Sequence, residues 1–420
     1  MVNQVAGAVA IKINFLKMKK INLVILLVLF KILSLYSQSL ESSSSKFKLK
    51  KLKFEEATFI SSYYNQNGNH SAVTGGTGTE KLNDSSNSFD LYFSHNDSKN
   101  RTHKIGLELG FDTYTSASSD NIDPSTRSGA SSNDQRFYPS VSWNVNNHKT
   151  GNQFGAGVSF SAEWDYTSFG TNVNYGKTFN KKQTDFNAKA SVFLDQWELI
   201  LPIELRAARV PGQGRKEENN VSKARNTFDL SLALSHIVNK RFQVALIAEP
   251  NVQKGQLSTP YHRVYFSDTS KVFVEKLPSS RMKLPIGFRA NYFFGDHIVG
   301  RTFYRFYRDD WGLTAHTVEL EMPIKINPFL TITPSYRYYQ QTAIDAFAGY
   351  KEHSISQAYY SSDYDLSAFK SHGIGVGMKW KPLDGVFGVK YWERLELRYL
   401  HYKRNTDLNS DIVSLLINFK

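Results

Sequence analysis

A glycine-rich stretch, "NHSAVTGGTGTEKLNDSS" at residues 69–86, has the composition of a loop that cradles phosphate. Gly75, Gly76 and Gly78 stand there among hydroxyl side chains. A dinucleotide fingerprint needs G-x-G-x-x-G between a strand and a helix, and a Walker A loop needs Gly-Lys-Ser/Thr. Neither spacing is present, and the carboxylate of Glu80 would repel a phosphate. The sequence therefore predicts no nucleotide site.

A second polar stretch, residues 115–140, is rich in oxygen ligands. Asp120, Asp123 and Asp134 suit Ca²⁺, but the EF-hand pattern D-x-[DN]-x-[DN]-G is not met. Asp120 and Asp123 are also common turn formers. The sequence leaves open whether residues 115–135 hold calcium, and no metal site is predicted.

The residue types that serve nucleophilic catalysis are present but scattered. No Ser or Asp stands at a diagnostic spacing to the candidate histidines, which are His70, His95, His236, His262, His316, His353 and His372. The chain has no cysteine, which excludes thiolate nucleophiles, thiolate zinc sites and a C-x-x-C-H haem motif. We therefore predict no catalytic residue and no cofactor, and the protein is not expected to be an enzyme.

The N-terminus has the pattern of an export signal. Lysines flank Met18, the apolar run "INLVILLVLF" follows at residues 21–30, and Ser37 is a small residue at a plausible cleavage point. The apolar run is too short to span a bilayer as a helix, which needs about 20 residues. Residues 1–37 are interpreted as an upstream extension plus signal peptide, and residues 38–52 as a short periplasmic segment.

The positive charge raises the question of a nucleic-acid partner. The net charge is +13, but five of the lysines and no acidic residue lie within residues 1–37. The remaining excess is mild, and nothing in the sequence clusters it into a module that reads RNA or DNA. Nucleic acid is therefore excluded as a partner.

After Lys53 the apolar residues recur with a period of two. Such alternation predicts strands with one apolar face. It is clearest in "SFDLYFSH" (88–95), "HKIGLELGFD" (103–112), "QFGAGVSFSAEWDY" (153–166), "RNTFDLSLALSHIV" (225–238) and "RMKLPIGFRANYFF" (281–294).

The length of these strands distinguishes a membrane barrel from a soluble sandwich. They run for roughly ten to fifteen residues with aromatics near both ends, whereas strands of soluble proteins average about 5–6 residues. In lipid every backbone amide needs a partner, so the sheet must close on itself. An apolar exterior around a polar lumen also explains why the chain is 14% aromatic yet has a mean hydropathy of −0.41.

The predicted fold is all-β: a transmembrane antiparallel β-barrel over residues 53–420, with about 16 strands, and with 14 or 18 left open. The uncertainty lies at residues 195–224, which could contain another strand pair. Short turns alternate with long connections, as in barrels that pair short periplasmic turns with long external loops. The strand centres are expected near residues 60, 91, 109, 141, 160, 175, 190, 232, 246, 288, 303, 320, 335, 375, 397 and 415.

Several stretches resemble the signatures of an uncharacterised, exported family of Gram-negative outer-membrane barrels. The first two are H-S-A-V-T-G-G-x-G-T-E at residues 70–80 and "SASSDNIDP" at 116–124, and "STPYHRVYF" (258–266) before "LPSSR" (277–281) also matches. The resemblance covers most of residues 53–420 and implies fold and compartment, with no established reaction. It also implies envelope lipoproteins as partners in a redox or transport assembly.

The last strand, "DIVSLLINFK", ends on an alternating pattern with Phe419 as the penultimate residue. This resembles the terminal signal read by the barrel-assembly machinery. We therefore expect location in the outer membrane, with outer-membrane lipids and that machinery as partners.

Alternation also predicts a charged lumen. Cross-strand pairing is expected to place Arg301 opposite Glu321, and Glu319 beside Arg337, in a constriction with a transverse field. The alternative is that these ion pairs only fill a plugged barrel. The inward candidates are Arg301, Arg305, Glu319, Glu321, Arg337, Arg394, Glu396 and Arg398.

The expected function is a porin-like channel for polar solutes. The alternatives are a non-conducting scaffold for envelope lipoproteins and, second, an outer-membrane hydrolase. The glycine stretch is then the first external loop, and we expect it to fold into the mouth against the 115–135 loop as a gate or plug. The gate candidates are His70, Gly75, Gly76, Gly78, Glu80, Asp120, Asp123 and Arg127.

Overall fold

The computed structural model describes residues 52–115, 133–199 and 222–420. The interpretations of residues 1–37 and of most of the 38–52 segment lie outside the described residues, as does the loop at 116–132. About two thirds of the described residues are in β-strands, and 3-10 turns lie at Ala72–Thr74, Tyr364–Leu366 and Val386–Gly388.

Twenty strands follow one another along the chain. They are β1 (Lys53–Asn67), β2 (Leu82–Asn96), β3 (Arg101–Thr115), β4 (Asn133–Asn147), β5 (Asn152–Ala162), β6 (Tyr166–Phe179), β7 (Thr184–Glu198), β8 (Ser222–Asn239), β9 (Phe242–Ala248), β10 (Asn251–Gly255), β11 (Arg263–Tyr265), β12 (Val272–Val274), β13 (Ser280–Phe294), β14 (Ile298–Asp309), β15 (Thr314–Glu321), β16 (Ile324–Asn327), β17 (Leu330–Gln341), β18 (Phe369–Trp380), β19 (Trp392–Arg404) and β20 (Asn409–Phe419).

The main sheet is antiparallel and closes because β1 pairs with both β2 and β20. Eighteen strands belong to it, but two pairs of them form single spans. β9 and β10 both pair with β8 and β13, and β15 and β16 both pair with β14 and β17. Pro250 and Pro323 lie at the two interruptions, where a residue without an N–H cannot continue the ladder. The barrel therefore has sixteen spans.

The number of spans settles the alternatives left by the sequence. β7 pairs directly with β8, from Thr184 opposite His236 to Glu198 opposite Ser222. No span therefore lies between β7 and β8 in the barrel wall. The prediction of sixteen strands is confirmed, and 14 and 18 are excluded.

The outward face of the barrel is an apolar belt. Val173 in β6 and Ile374 in β18 are 61% and 64% exposed, as expected for side chains that face lipid. Aromatic pairs such as Phe54–Phe93 and Trp392–Phe419 lie at the end with the short turns, and Tyr304 and Tyr336 lie outward nearer the long loops. The barrel therefore has the two aromatic girdles of a membrane-spanning sheet.

No helix in the described part of the chain is long and apolar enough to cross a bilayer.

Three long connections lie at the end of the barrel opposite the short turns. We call them loop A (residues 68–81), loop B (residues 256–279, which contain the β11–β12 hairpin) and loop C (residues 342–368). Leu277 of loop B and Ile344 of loop C are buried in one apolar cluster that also contacts Tyr307 and Tyr339. Those two tyrosines share the inward face with Arg305 and Arg337. Loops B and C therefore fold into the mouth of the barrel.

We expect Val173→Arg to lower the free energy of unfolding by about 2–4 kcal/mol, because it places a charge on the lipid face near the middle of β6. The neighbouring Asn172→Arg, which faces the lumen opposite Gly157, is expected to change it by about 1 kcal/mol or less. Urea titrations of protein refolded into lipid vesicles measure both values. Equal destabilisation by the two variants would contradict the assignment of faces.

Candidate functional site: lumen wall and external lid

A run of basic side chains lines one side of the lumen. Alternation along β13 and β14 turns Arg289, Arg301 and Arg305 inward, and the register sets Arg289 opposite Phe303 and Arg301 opposite Asn291. Arg281 and Lys283 lie on the same inward face. Arg289 also stacks over the ring of Phe303, with 5.4 Å between the guanidinium carbon and the ring centroid.

The cross-strand ion pairs expected from the sequence are present on the neighbouring strands. Arg301 lies opposite Glu321 with 3.5 Å between Nη1 and Oε2, and Arg337 lies opposite Glu319 with 3.2 Å between Nε and Oε1. All four side chains are at least one-third exposed, so each pair contributes only about 0–1 kcal/mol to stability. Their main effect is to make the wall polar.

The remaining inward candidates extend this network along β19. Glu396 lies between Arg394 and Arg398, at 3.6 Å and 3.7 Å. Arg398 also approaches Glu321, at 3.8 Å. Glu319, Glu321, Arg337 and Arg398 line a cavity of about 300 Å³. Arg305 lies on the same inward face, and its Nε has no hydrogen-bond partner among the described residues.

An acidic wall stands on the other side of the ring. Asp84 and Asp90 of β2, and Glu108 and Asp112 of β3, all face inward, and Asp90 is directly opposite Glu108. β2 and β3 lie half a turn of the sixteen-span ring from β13 and β14. Asp84 and Asp90 each have a buried carboxylate oxygen without a hydrogen-bond partner among the described residues. Acidic and basic walls therefore face each other across the lumen.

Loop A docks on loops B and C, which together we call the lid. Arg263 of loop B donates a hydrogen bond from Nη1 to the carbonyl oxygen of Val73, at 2.7 Å. The ring of His70 stacks on Tyr364 of loop C, with 3.8 Å between centroids. Loop A therefore packs against both loop B and loop C. The expected contact with Asp120, Asp123 and Arg127 concerns residues that lie outside the described part of the chain.

The glycines of loop A are required by this docking. Gly75, Gly76 and Gly78 have φ values of 80°, 83° and 85°, which only glycine adopts at little cost. A Cβ on Gly75 would lie 2.5 Å from the ring of Tyr265, and one on Gly76 would lie 2.8 Å from the Ser362 carbonyl oxygen. The loop therefore fits against its neighbours only without side chains at Gly75 and Gly76.

Glu80 lies at the end of loop A. The backbone N–H of Glu80 donates a hydrogen bond to the carbonyl oxygen of Gly68, at 2.8 Å. Burial and the negative charge of Asp365 raise the pKa of Glu80 to about 7, although Arg404 acts in the opposite direction. Arg404 holds Asp365 in an ion pair of 2.7 Å, which ties loop C to β19.

Sequence reasoning missed a group of three titratable residues inside the lid. Nδ1 of His262 lies 3.6 Å from Oε1 of Glu275 and 3.8 Å from Oδ2 of Asp363. Burial by itself lowers the pKa of His262, but the two carboxylates outweigh it and raise that pKa. Burial and the nearby acids likewise raise the pKa of Asp363. The one sequence signal was that His262 lies within the signature "STPYHRVYF".

Comparison with models of known protein families finds a match for this chain. A family model described as "Protein of unknown function (DUF3570)" matches residues 111–409. The expected resemblance to an uncharacterised family is confirmed at that level, while the signature at 70–80 lies before the matched range. No curated protein has significant sequence similarity to the chain.

Solved structures with a similar shape are porins and receptors. A BenF-like porin from Pseudomonas fluorescens Pf-5 is 9% identical, over 88% of this chain and 99% of that one, with a TM-score of 0.42. OccK1 (OpdK) from Pseudomonas aeruginosa is 10% identical, over 88% and 98%, with a TM-score of 0.41. The ferric enterobactin receptor PfeA from Pseudomonas aeruginosa is 13% identical, over 83% of this chain but only 53% of its own, with a TM-score of 0.43. These scores carry no inference about function, and the barrel is established by its own strand pairing.

We expect Gly76→Val to separate loop A from loop C, because its side chain would collide with Ser362 and Tyr364. The matched control is Gly295→Val: Gly295 has a similar φ of 75°, but a Cβ there would meet nothing within 4 Å. Both variants bear a backbone cost of about 1–3 kcal/mol. Limited proteolysis in detergent should show faster cleavage within loop C for Gly76→Val alone, and cells should admit a large antibiotic more readily. Identical behaviour of the two variants would show that loop A is a surface loop without a role as a gate.

Proposed function

We propose that this chain, which belongs to the DUF3570 family of proteins of unknown function, is a passive channel for polar solutes across the outer membrane. The observation that carries the proposal is the pair of oppositely charged walls, β2–β3 against β13–β14, half a ring apart in a closed sheet of sixteen spans. Barrels of 16–18 strands leave room for an aqueous channel. A polar lumen of that width supports conduction rather than close packing.

The facing walls would act on a solute through a transverse field. Carboxylates such as Asp90 and Glu108 on one side and guanidinium groups such as Arg289 and Arg305 on the other orient the dipole of a polar molecule. Water oriented by this field would resist displacement by an apolar molecule. The field therefore favours polar and zwitterionic solutes over apolar ones of the same size.

The lid would restrict what reaches this region. Loops B and C cover part of the inner wall around Tyr307 and Tyr339, and loop A rests on both of them. Solutes would enter beside or through the lid. The apolar belt would contact outer-membrane lipids, and the terminal strand with Phe419 would be read by the barrel-assembly machinery.

We expect the double variant Arg289→Gln, Arg305→Gln to become more cation-selective, because it removes two positive charges from the basic wall. The measurement is the reversal potential in a KCl gradient, with purified protein in planar lipid bilayers. The control is Arg308→Gln, which removes a charge from an exposed residue on the outward face of the same strand. Its reversal potential should match that of the unmodified protein.

The outcomes separate the channel from its alternatives. A scaffold for lipoproteins or a membrane hydrolase would give no steady current, so electrical silence of the unmodified protein would contradict the channel. An equal shift in the double variant and in Arg308→Gln would show that lumen charge does not set selectivity.

The acidic wall supplies the reciprocal experiment. Asp90→Asn with Glu108→Gln should shift the reversal potential towards anion selectivity, since two negative charges leave the lumen. Both replacements keep nearly the same side-chain shape, so the barrel should refold normally. A shift in the same direction as that of the arginine variants would refute the assignment of opposed walls.

A further inference from the structure

We propose that His262, Glu275 and Asp363 form a binding site for one divalent cation of the first transition row. Zn²⁺ is the cation with which we would test this site. The three ligand atoms lie within 4.8 Å of one another, in the interior of the lid. His262 and Glu275 belong to loop B, and Asp363 belongs to loop C. A cation held by all three would join the two loops.

The spacing of the three groups fits a cation between them better than direct contact. Nδ1 of His262 is 3.6 Å from Glu275 and 3.8 Å from Asp363, both too long for hydrogen bonds. This nitrogen is buried and has no hydrogen-bond partner among the described residues. A buried ring nitrogen directed at two carboxylate oxygens is accounted for if a cation lies between them, since neutral imidazole binds a metal through its lone pair.

Other contacts hold the carboxylates in position. Ser361 donates a hydrogen bond from Oγ to Oε1 of Glu275 at 2.5 Å, and the backbone N–H of Thr259 donates to Oε2 at 2.8 Å. The backbone N–H of Asp365 donates to Oδ1 of Asp363 at 2.9 Å, which leaves Oδ2 towards His262. Such outer contacts orient ligands and raise their affinity for a metal.

The donor set selects the class of cation. One imidazole nitrogen with two carboxylate oxygens suits Zn²⁺ and its first-row neighbours, whereas Ca²⁺ and Mg²⁺ prefer oxygen ligands throughout. The charge of the site also favours a divalent cation. The side chain of Glu275 is only 2% exposed, and a dication beside neutral His262 would balance two carboxylates in this buried place.

The position of the site gives it a mechanical consequence. Loops B and C are already joined by a bridge between Lys276 and Tyr360, and Gly76 of loop A rests on Ser362, next to Asp363. A bound cation would therefore stiffen the whole lid. This consequence, a lower conductance when the cation is bound, rests on the proposed channel function, whereas cation binding itself does not.

Calorimetric titration of refolded, tag-free protein in detergent tests the site. We expect one Zn²⁺ per chain in the unmodified protein, and no comparable binding of Ca²⁺ or Mg²⁺. Asp363→Asn and Glu275→Gln should each weaken Zn²⁺ binding by at least about tenfold. The control is His372→Gln, which removes an exposed histidine on the outward face and should leave binding unchanged.

Two results would overturn the proposal. One is the absence of a Zn²⁺ equivalent in correctly folded protein, checked by the heat-dependent gel shift of barrels. The other is unchanged binding in Asp363→Asn together with loss in His372→Gln, which would place the cation on the surface. Should Asp363→Asn fail to fold, Glu275→Gln supplies the same comparison.

Planar-bilayer recordings then test the effect on the lid. Zn²⁺ should lower the single-channel conductance of the unmodified protein, EDTA should restore it, and Glu275→Gln should not respond. Zn²⁺ binding without any current would refute the channel and leave the cation site standing. Current without Zn²⁺ binding would refute the site and leave the channel standing.

Discussion

The absence of water from the bilayer interior is the constraint on which the rest of this structure depends. Every backbone N–H and C=O of a spanning strand must find a partner in the sheet, so the first strand has to pair with the last. β1 does so over most of its length, from Ala57 opposite Phe419 to Asn67 opposite Asn409. Even the two prolines that interrupt spans lie where neighbouring strands continue on both sides.

Closure gives the alternating sequence two separate environments. A residue such as Val173 faces lipid, while its neighbour Asn172 faces the lumen. Each side chain in a span faces one environment or the other, because successive residues of a strand point to opposite faces of the sheet. Closure also turns a position in the sequence into a position around a ring. The acids of β2–β3 and the arginines of β13–β14 are far apart in the chain, and they face each other only because the sheet is a ring.

The lid is held together differently, because its residues lie outside the spans and must satisfy their polar groups through local contacts. Left-handed glycines let loop A approach Tyr265 and Ser362, and an apolar cluster around Leu277 and Ile344 fixes loops B and C on the inner wall. The buried group of His262, Glu275 and Asp363 lies within this framework. Selection by the lumen and control at the mouth would thus depend on separate parts of the molecule.

The sequence alone determined the fold class and the ion pairs between adjacent strands, because a period of two and short turns fix both face and register. It placed Arg301 opposite Glu321 for that reason. It predicted about sixteen spans, and the direct pairing of β7 with β8 in the structure excluded 14 and 18. Only the tertiary structure decided which loops meet, since loop contacts follow no periodicity. The expected contact of loop A with the 115–135 loop concerns residues that lie largely outside the described part of the chain, and the contacts of loop A with Arg263 and Tyr364 were not predicted. His262 and Asp363 are far apart in the chain, and the folding of loops B and C into one mouth brings them together.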